Sequence, residues 1–347
     1  MSPPTLPKTY RAVVVEGPNQ PLAIKEFPLE EPKPGEILIK VHCCGVCHSD
    51  ELLIKGLFGP MAKFPAIPGH ETIGTIVRVG SGEKRWEIGE VVGGAWHGGH
   101  DGVCKSCSHG DFQMCDNAEV NGVTRSGGYA EYAYLRTEAA VHIPKEIPAS
   151  EYPAIAPLLC AGVTVFNGIR EMDITPGGTV VIQGLGGLGH LALQFARKMG
   201  YRTVALSSSE KKRDFALDLG ATDYIDASKD DAAQQLQAMG GANLIVVTAP
   251  NPEVVPPLLS GLAARGKLLI LAPVGDVPVN TGMMILRGIS VWGWPSGHAR
   301  DAEETIDFAN RQGVDCMIEK FPMDDVQNAL DQMNSGNVRF RGVLMME

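Results

Sequence analysis

Three cysteines, Cys104, Cys107 and Cys115, are separated by two and seven residues. A structural zinc takes four tetrahedral ligands from short loops, and this spacing supplies three of them. Elsewhere stand Cys47, His70 followed by Glu71, and Cys160. Two thiolates and one imidazole leave a fourth position for water or substrate, which is the open pattern of a catalytic zinc. A glycine-rich turn, Gly184-Leu185-Gly186-Gly187-Leu188-Gly189, follows the apolar run Val180-Val181-Ile182. In such a turn Gly184 allows the tight bend, Gly186 lets backbone approach a pyrophosphate, and Gly189 lets helix pack on strand. The helix start beyond it offers free N–H groups to phosphates. Two metal sites and a dinucleotide fingerprint in one chain point to metal-assisted hydride transfer.

About twenty residues beyond the glycines such folds carry an acid that binds the ribose hydroxyls and repels a 2′-phosphate. Here the second strand ends in Leu206-Ser207-Ser208-Ser209, followed by Glu210, Lys211 and Lys212. Ser207 and Ser208 remove the repulsion, and Lys211 or Lys212 can pair with phosphate. NADP(H) is therefore favoured over NAD(H), with Glu210 as the residue that keeps NAD(H) open.

These residues need elements to hold them. A chain of 347 residues is long for one core and implies two domains. Up to about residue 155 short β-type runs such as Ile37–Val41, Gly74–Val79 and Glu90–Val92 alternate with turn residues, as in a mainly-β, barrel-like domain. From Thr179 strand alternates with helix. Leu188, Leu191, Ala192, Phe195 and Met199 fall at helical spacing, strands are expected at Thr203–Leu206, Leu244–Val247 and Lys267–Leu271, and Lys211–Leu219 reads as a helix. That alternation is α/β and predicts a doubly wound parallel sheet. The tail reads as two helices, Ala302–Asn310 and Asp324–Met333, and a closing strand, Arg341–Met345. The net charge of −10 argues against nucleic acid and anionic membranes as partners. No apolar run reaches the roughly 18–20 residues of a membrane span. Eight cysteines without a visible signal peptide read as ligands or free thiols, so a cytoplasmic location is expected.

With Gly69-His70-Glu71, Cys47-His48-Ser49-Asp50, the cysteine lobe and the GLGGLG turn all present, the chain resembles the zinc-dependent alcohol dehydrogenases of the medium-chain dehydrogenase/reductase superfamily, over essentially its whole length. The resemblance implies a GroES-like catalytic domain (residues 1–156, with 298–347 returning to it) and a Rossmann dinucleotide-binding domain (157–297). It implies Cys47, His70 and Cys160 as catalytic zinc ligands and Glu71 as an acid that approaches or transiently ligates the metal. Asp50 would orient a ligand, and Ser49 would touch the substrate oxygen and start proton release. Relatives often end that relay at a histidine three residues after the serine; Leu52 stands there, so water takes over the proton. His48 is placed near the cofactor pyrophosphate, Thr164 near the nicotinamide, and Arg341 on the pyrophosphate. Relatives usually have a fourth lobe cysteine three residues before Cys104. Asp101 holds that place and His100 is the alternative ligand. Phe58 and Trp96 match bulky residues that narrow the substrate pocket in yeast-like relatives.

The expected reaction is reversible oxidation of an alcohol, most simply a primary one, to its aldehyde, with NAD(P)(H) as cofactor and an aldehyde reductase like the cinnamyl-type relatives as the NADP(H) version. Competing readings are a polyol dehydrogenase of the same superfamily and a non-catalytic zinc-binding interaction module. The lobe cysteines count against the first, and the negative charge against the second. The family forms dimers or tetramers, so a homo-oligomer is expected.

Overall fold

The computed structural model describes residues 5–346. They divide into two units, 5–160 with 297–307 and 316–346, and 161–296 with 308–315. The sequence reading assigned the whole tail to the first unit; the stretch 308–315 belongs to the second. The reason is packing: Phe308 lies 5.0 Å from Phe166 and 5.9 Å from Phe195 between ring centroids, and Gln194 bonds the backbone of Asp315 at both N–H and carbonyl.

The first unit is built on a seven-stranded sheet. Its central strand, Glu36–Gly45, alternates Ile37, Ile39 and Val41 onto one apolar cluster with Ile76, Val92 and Leu135. It pairs antiparallel with Thr72–Val79, with Tyr132–Arg136 and with the closing strand Arg341–Met345. The chain end thus lies against the strand that leads to Cys47, with Val343 opposite Gly45. A second cluster joins Val13, Cys44, Tyr129, Leu330 and Leu344. Thr9–Val15 pairs antiparallel with Leu22–Pro28 in a separate two-stranded sheet.

The second unit is a six-stranded sheet in which every pairing is parallel. In order across the sheet the strands are Asp223–Asp226, Arg202–Ser207, Thr179–Gln183, Ala242–Val247, Leu262–Ile270 and Ser290–Gly293. Within the unit that order is 3-2-1-4-5-6, the doubly wound arrangement in which dinucleotides bind at the strand ends beside the reversal. The middle strands are apolar on both faces because helices cover both, which is why they read as continuous runs. The edge strands Asp223–Asp226 and Ser290–Gly293 are short and part polar, too short for an apolar run to mark them. Among the described residues no single helix is long and apolar enough to cross a membrane.

Candidate metal centres and dinucleotide site

The central strand of the first unit runs into Cys47, which stands just ahead of a short helix, His48–Ile54. Asp50, third in that helix, returns Oδ2 to the Cys47 backbone N–H at 2.9 Å. This is half of a capping box, and it makes Cys-His-Ser-Asp a helix start with a fixed entry. His48 is exposed, and Ser49 is half-buried with Oγ 3.8 Å from Cys47 Sγ. His70 and Glu71 come just before the strand Thr72–Val79. Cys160 follows the single turn Ala156–Leu159.

The fold brings these distant residues together. One ligand atom each from Cys47, His70, Glu71 and Cys160 lie within 4.8 Å of one another. The two sulfurs are 3.9 Å apart. His70 and Glu71 are buried, yet neither ring nitrogen of His70, nor Glu71 Oε2, makes a hydrogen bond. Buried polar atoms without partners are costly, and a shared cation accounts for the free donor atoms facing one another here. Two thiols, an imidazole and a carboxylate are a donor set that zinc takes tetrahedrally, so the residues fit that metal. The electrostatics agree. The neighbouring Cys160 thiol, helped by His70, holds Cys47 well below the ordinary thiol value against the effect of burial. Burial alone would lower His70, but the Asp50 carboxylate and Cys47 raise it well above its ordinary value.

Asp50 sits behind His70, with Oδ1 3.4 Å from Nδ1. It also accepts from Gly69 N–H at 3.2 Å and from the Tyr129 hydroxyl at 2.8 Å. Glu71 Oε1 takes a hydrogen bond from Arg341, itself buried. Burial lifts Glu71 to about 7 even with Arg341 opposing it. The sequence reading sends Arg341 to the cofactor pyrophosphate; the structure commits one of its nitrogens to Glu71 and leaves Nε without a partner among the described residues. Gly45 is needed beside this pair, since a Cβ there would lie 1.8 Å from Glu71 Oε2. Trp96 meets the His70 ring edge-on at 4.9 Å between centroids, and Phe58 packs on Trp96 at 5.8 Å. The two residues chosen from sequence as pocket walls therefore form one aromatic wall on the His70 side.

The cysteine lobe forms the second donor group. Asp101, Cys104, Cys107 and Cys115 each place a ligand atom within 4.8 Å of the others. Asp101 Oδ1 accepts from the backbone N–H of Val103 and of Cys104, and Oδ2 accepts from Asn117 at 2.7 Å. These bonds, Asn117 first, hold the carboxyl well below the ordinary carboxylate range, so an anionic oxygen stands with the three sulfurs. The helix Lys105–His109 ends on Gly110 at φ 92°, a left-handed position that glycine takes freely. His100, the alternative ligand, turns away: its Nδ1 lies 3.2 Å from His97 Nε2 and its ring stacks on Phe112.

His97 carries a pH prediction of its own. It is buried with Nδ1 unpartnered, and burial, then the charges of His100 and His298, push it down to about 3. The unfolded chain binds the proton near pH 6.5 and the folded chain does not. Stability is therefore complete above about 6.5 and falls as pH drops from there towards 3, by up to about 1.4 kcal/mol per pH unit from this group. In urea unfolding at pH 7 and pH 5, His97→Asn is expected to flatten part of this loss. An unchanged slope in the variant would contradict the assignment.

In the second unit the glycine turn links Thr179–Gln183 to the helix Gly189–Lys198. Gly184 has φ 91°, and a Cβ on Gly189 would lie 1.9 Å from Gly184 O, so both need glycine. A Cβ on Gly186 would meet nothing within 4 Å, which leaves backbone there open to a bound group. Gly187 and Leu188 complete the turn before the helix. That open face fits a pyrophosphate. Ser207 and Ser208 lie at the end of the neighbouring strand Arg202–Ser207 and just beyond it. Lys212 reaches back to Leu185 O at 3.2 Å, while Lys211 stays exposed. Glu210 is paired with Arg213 and with Lys229. Thr164 Oγ1 bonds Ser296 Oγ at 3.0 Å, and Asn167 bonds Ser296 O.

A zinc-type donor cluster in one unit and a dinucleotide turn in the other define a metal-dependent oxidoreductase. Comparison with known proteins narrows the class. Residues 33–145 match the alcohol dehydrogenase GroES-like domain, and residues 187–336 match the zinc-binding dehydrogenase family. The chain is 54% identical over 342 residues to the alcohol dehydrogenase patD of Penicillium expansum, covering 99% of each. It is 48% identical to the alcohol dehydrogenase notN of an Aspergillus species, covering 99% of this chain and 100% of that one. Among solved structures, the cinnamyl alcohol dehydrogenase SbCAD4 of Sorghum bicolor superposes with a TM-score of 0.87 at 31% identity, covering 98% of this chain and 100% of that one. The chain belongs to the zinc-containing medium-chain alcohol dehydrogenases and is an NAD(P)-dependent oxidoreductase of that family.

Proposed function

We propose that this protein catalyses reversible hydride transfer between NADP(H) and a primary alcohol or its aldehyde, at a zinc held by Cys47, His70 and Cys160. The observation that carries the reading is the convergence of those three ligands, Cys47 and His70 buried and Cys160 half-buried, beside the Trp96–Phe58 wall. Zinc supplies Lewis acidity to the substrate oxygen, and the nicotinamide accepts or donates the hydride. The protein's own residues do the rest. Cys47 and Cys160 bring anionic charge, which moderates the metal, and Asp50 faces the far side of His70 to set its orientation. Glu71, anchored by Arg341 through Oε1, keeps Oε2 free within the ligand group for a transient fourth position. In oxidation Ser49 accepts the hydroxyl proton; Leu52 has no group to carry it further, so water removes it. One alcohol and one oxidised cofactor give one aldehyde, one reduced cofactor and one proton. Trp96 against His70 restricts the space on that side, which supports primary substrates over hindered ones.

The NADP(H) preference rests on charge. From Ser207 to Arg213 the only acid is Glu210, and its carboxylate is already paired with Arg213 and Lys229. Lys211, which is exposed, brings positive charge that would offset a 2′-phosphate, with Ser207 and Ser208 able to donate hydrogen bonds. The test is a steady-state comparison of NADPH and NADH across a panel of aldehydes, with a polyol and oxidised cofactor as contrast. The highest kcat/KM is expected with NADPH and primary aldehydes, and Ser208→Asp should cut the NADPH:NADH ratio by about tenfold or more, the size of one added charge repulsion of ~1.4 kcal/mol. A ratio that favours NADH in the unmodified enzyme would end the cofactor reading, and better turnover of polyols would replace the substrate class. A homo-oligomer is proposed too: the strand Ser290–Gly293 ends the sheet, and Ile285, Leu286 and Trp292 of the same unit are exposed, apolar surface that a second copy would cover.

A further inference from the structure

We infer that Tyr129 is a positioning residue for the metal ligand His70, acting through Asp50; the inference rests on the reading that Cys47, His70 and Cys160 hold zinc. Tyr129 is fully buried, in the apolar cluster with Val13, Cys44 and Leu330. Packing there would be met by phenylalanine. A buried hydroxyl costs free energy unless it is bonded, so the phenol oxygen needs its own reason to be present. Its partner is Asp50 Oδ2, at 2.8 Å.

The backbone around it is fitted to the same end. Gly127 N–H bonds Ile67 O at 2.7 Å, Tyr129 N–H bonds Pro68 O at 3.0 Å, and Gly128 N–H bonds Gly69 O at 3.0 Å. The Gly-Gly-Tyr segment is thereby laced to the three residues that precede His70. Gly69 has φ 100°, and a Cβ on it would lie 2.5 Å from the Tyr129 ring, while a Cβ on Gly128 would lie 1.8 Å from Thr72 Oγ1. The glycines let the phenol come in directly behind the histidine.

Asp50 is surrounded on both oxygens. Oδ2 takes Cys47 N–H and the Tyr129 hydroxyl; Oδ1 takes Gly69 N–H and faces His70 Nδ1 at 3.4 Å. A carboxylate has about four acceptor sites; three donors bond this one, and His70 Nδ1 stands 3.4 Å from Oδ1. Without the phenol, Oδ2 keeps one donor in a site with no exposure to water. The carboxylate then turns to recover a bond and draws Oδ1 off the imidazole. Groups that orient metal-binding histidines are commonly worth 10–100-fold in metal affinity or activity.

The test uses the zinc-loaded full chain and a coloured zinc chelator. Tyr129→Phe keeps the ring and is expected to speed zinc loss from the His70 site about tenfold, with loss from the cysteine lobe unchanged. The cobalt-substituted variant should show shifted visible bands, because the imidazole has moved. In an Asp50→Asn background the same substitution should have no further effect on zinc loss, as a purely packing role would not require. Wild-type release and spectrum in Tyr129→Phe, or a full additional effect in the Asp50→Asn background, would overturn the inference. If Tyr129→Phe yields no folded protein, comparing Asp50→Asn with wild type decides alone, and unchanged release there overturns it. Zinc in the wild type that does not depend on His70 would instead remove the metal reading beneath it.

Discussion

His70→Ala is expected to lower kcat by about a thousandfold or more while leaving dinucleotide binding within about twofold of wild type. The first half follows from what the site lacks otherwise. His70 is the one nitrogen ligand among sulfurs and a carboxylate, and it is buried with no hydrogen bond on either ring nitrogen. Removing it leaves two of the three assigned ligands, with Glu71 tied through Oε1 to Arg341, so the open three-ligand site is broken. Lewis-acid stabilisation of a developing alkoxide is worth several kcal/mol, and each 1.36 kcal/mol is a factor of ten in rate. The second half follows from the organisation of the chain. The glycine turn, Ser207, Ser208 and Lys212 all belong to the other unit, whose core of Val181, Val204, Ile245 and Leu268 is its own. Nicotinamide fluorescence measures the binding and absorbance the turnover. Undiminished kcat in His70→Ala would defeat the zinc assignment; lost cofactor binding would show that the histidine's role is in folding.

Arg341→Met should destabilise the protein by about 3–5 kcal/mol at pH 8, the usual cost of leaving one member of a buried ion pair alone. Glu71 has no exposure and Arg341 only 3%. The pH dependence gives the prediction its signature. Burial already raises Glu71 to about 7, and loss of the guanidinium raises it further. Its folded value then lies above the unfolded one, near 4.5, so the folded state binds the proton more readily. The deficit relative to wild type is therefore largest above the variant's folded value and shrinks as pH falls from there to about 7, below which Glu71 is protonated in both proteins. Urea unfolding of wild type and variant at pH 8 and pH 6 tests this directly, and adding Glu71→Gln to Arg341→Met should recover most of the loss. A deficit that is the same at both pH values, and unrelieved by the second substitution, would show that Arg341 acts by packing alone.

How much of this was legible in the sequence depended on how local the cause was. Ligand types are written in the residues themselves, so Cys47, His70, Cys160 and the lobe cysteines were readable before any geometry. The glycine turn was readable because Gly184 and Gly189 answer to constraints within a few residues, the left-handed φ and the contact with Gly184 O. The closing strand Arg341–Met345 was readable from a plain apolar run. What escaped was set by tertiary contact. Arg341 meets Glu71 across 270 residues, and nothing near either one announces the other. Tyr129 looks like any core aromatic until its hydroxyl is found on Asp50, 79 residues away. Gly-Gly-Tyr was the available signal, since paired glycines before a buried aromatic mark a close backbone approach. The helix expected over Lys211–Leu219 begins as a single tight turn, Glu210–Lys212, because Ser209 caps it at Lys211 N–H, and is regular only from Arg213. The edge strands of the parallel sheet escaped because they are short, four residues each, and part polar.

The measurement closest to the central claim is the zinc content per chain of wild type and His70→Ala, determined on dialysed, folded protein. Two zinc ions in the wild type and one in the variant are the expected pair of values, the survivor being held by Asp101, Cys104, Cys107 and Cys115. Equal zinc in both proteins would contradict the claim that sulfur and imidazole from Cys47, His70 and Cys160 share one ion.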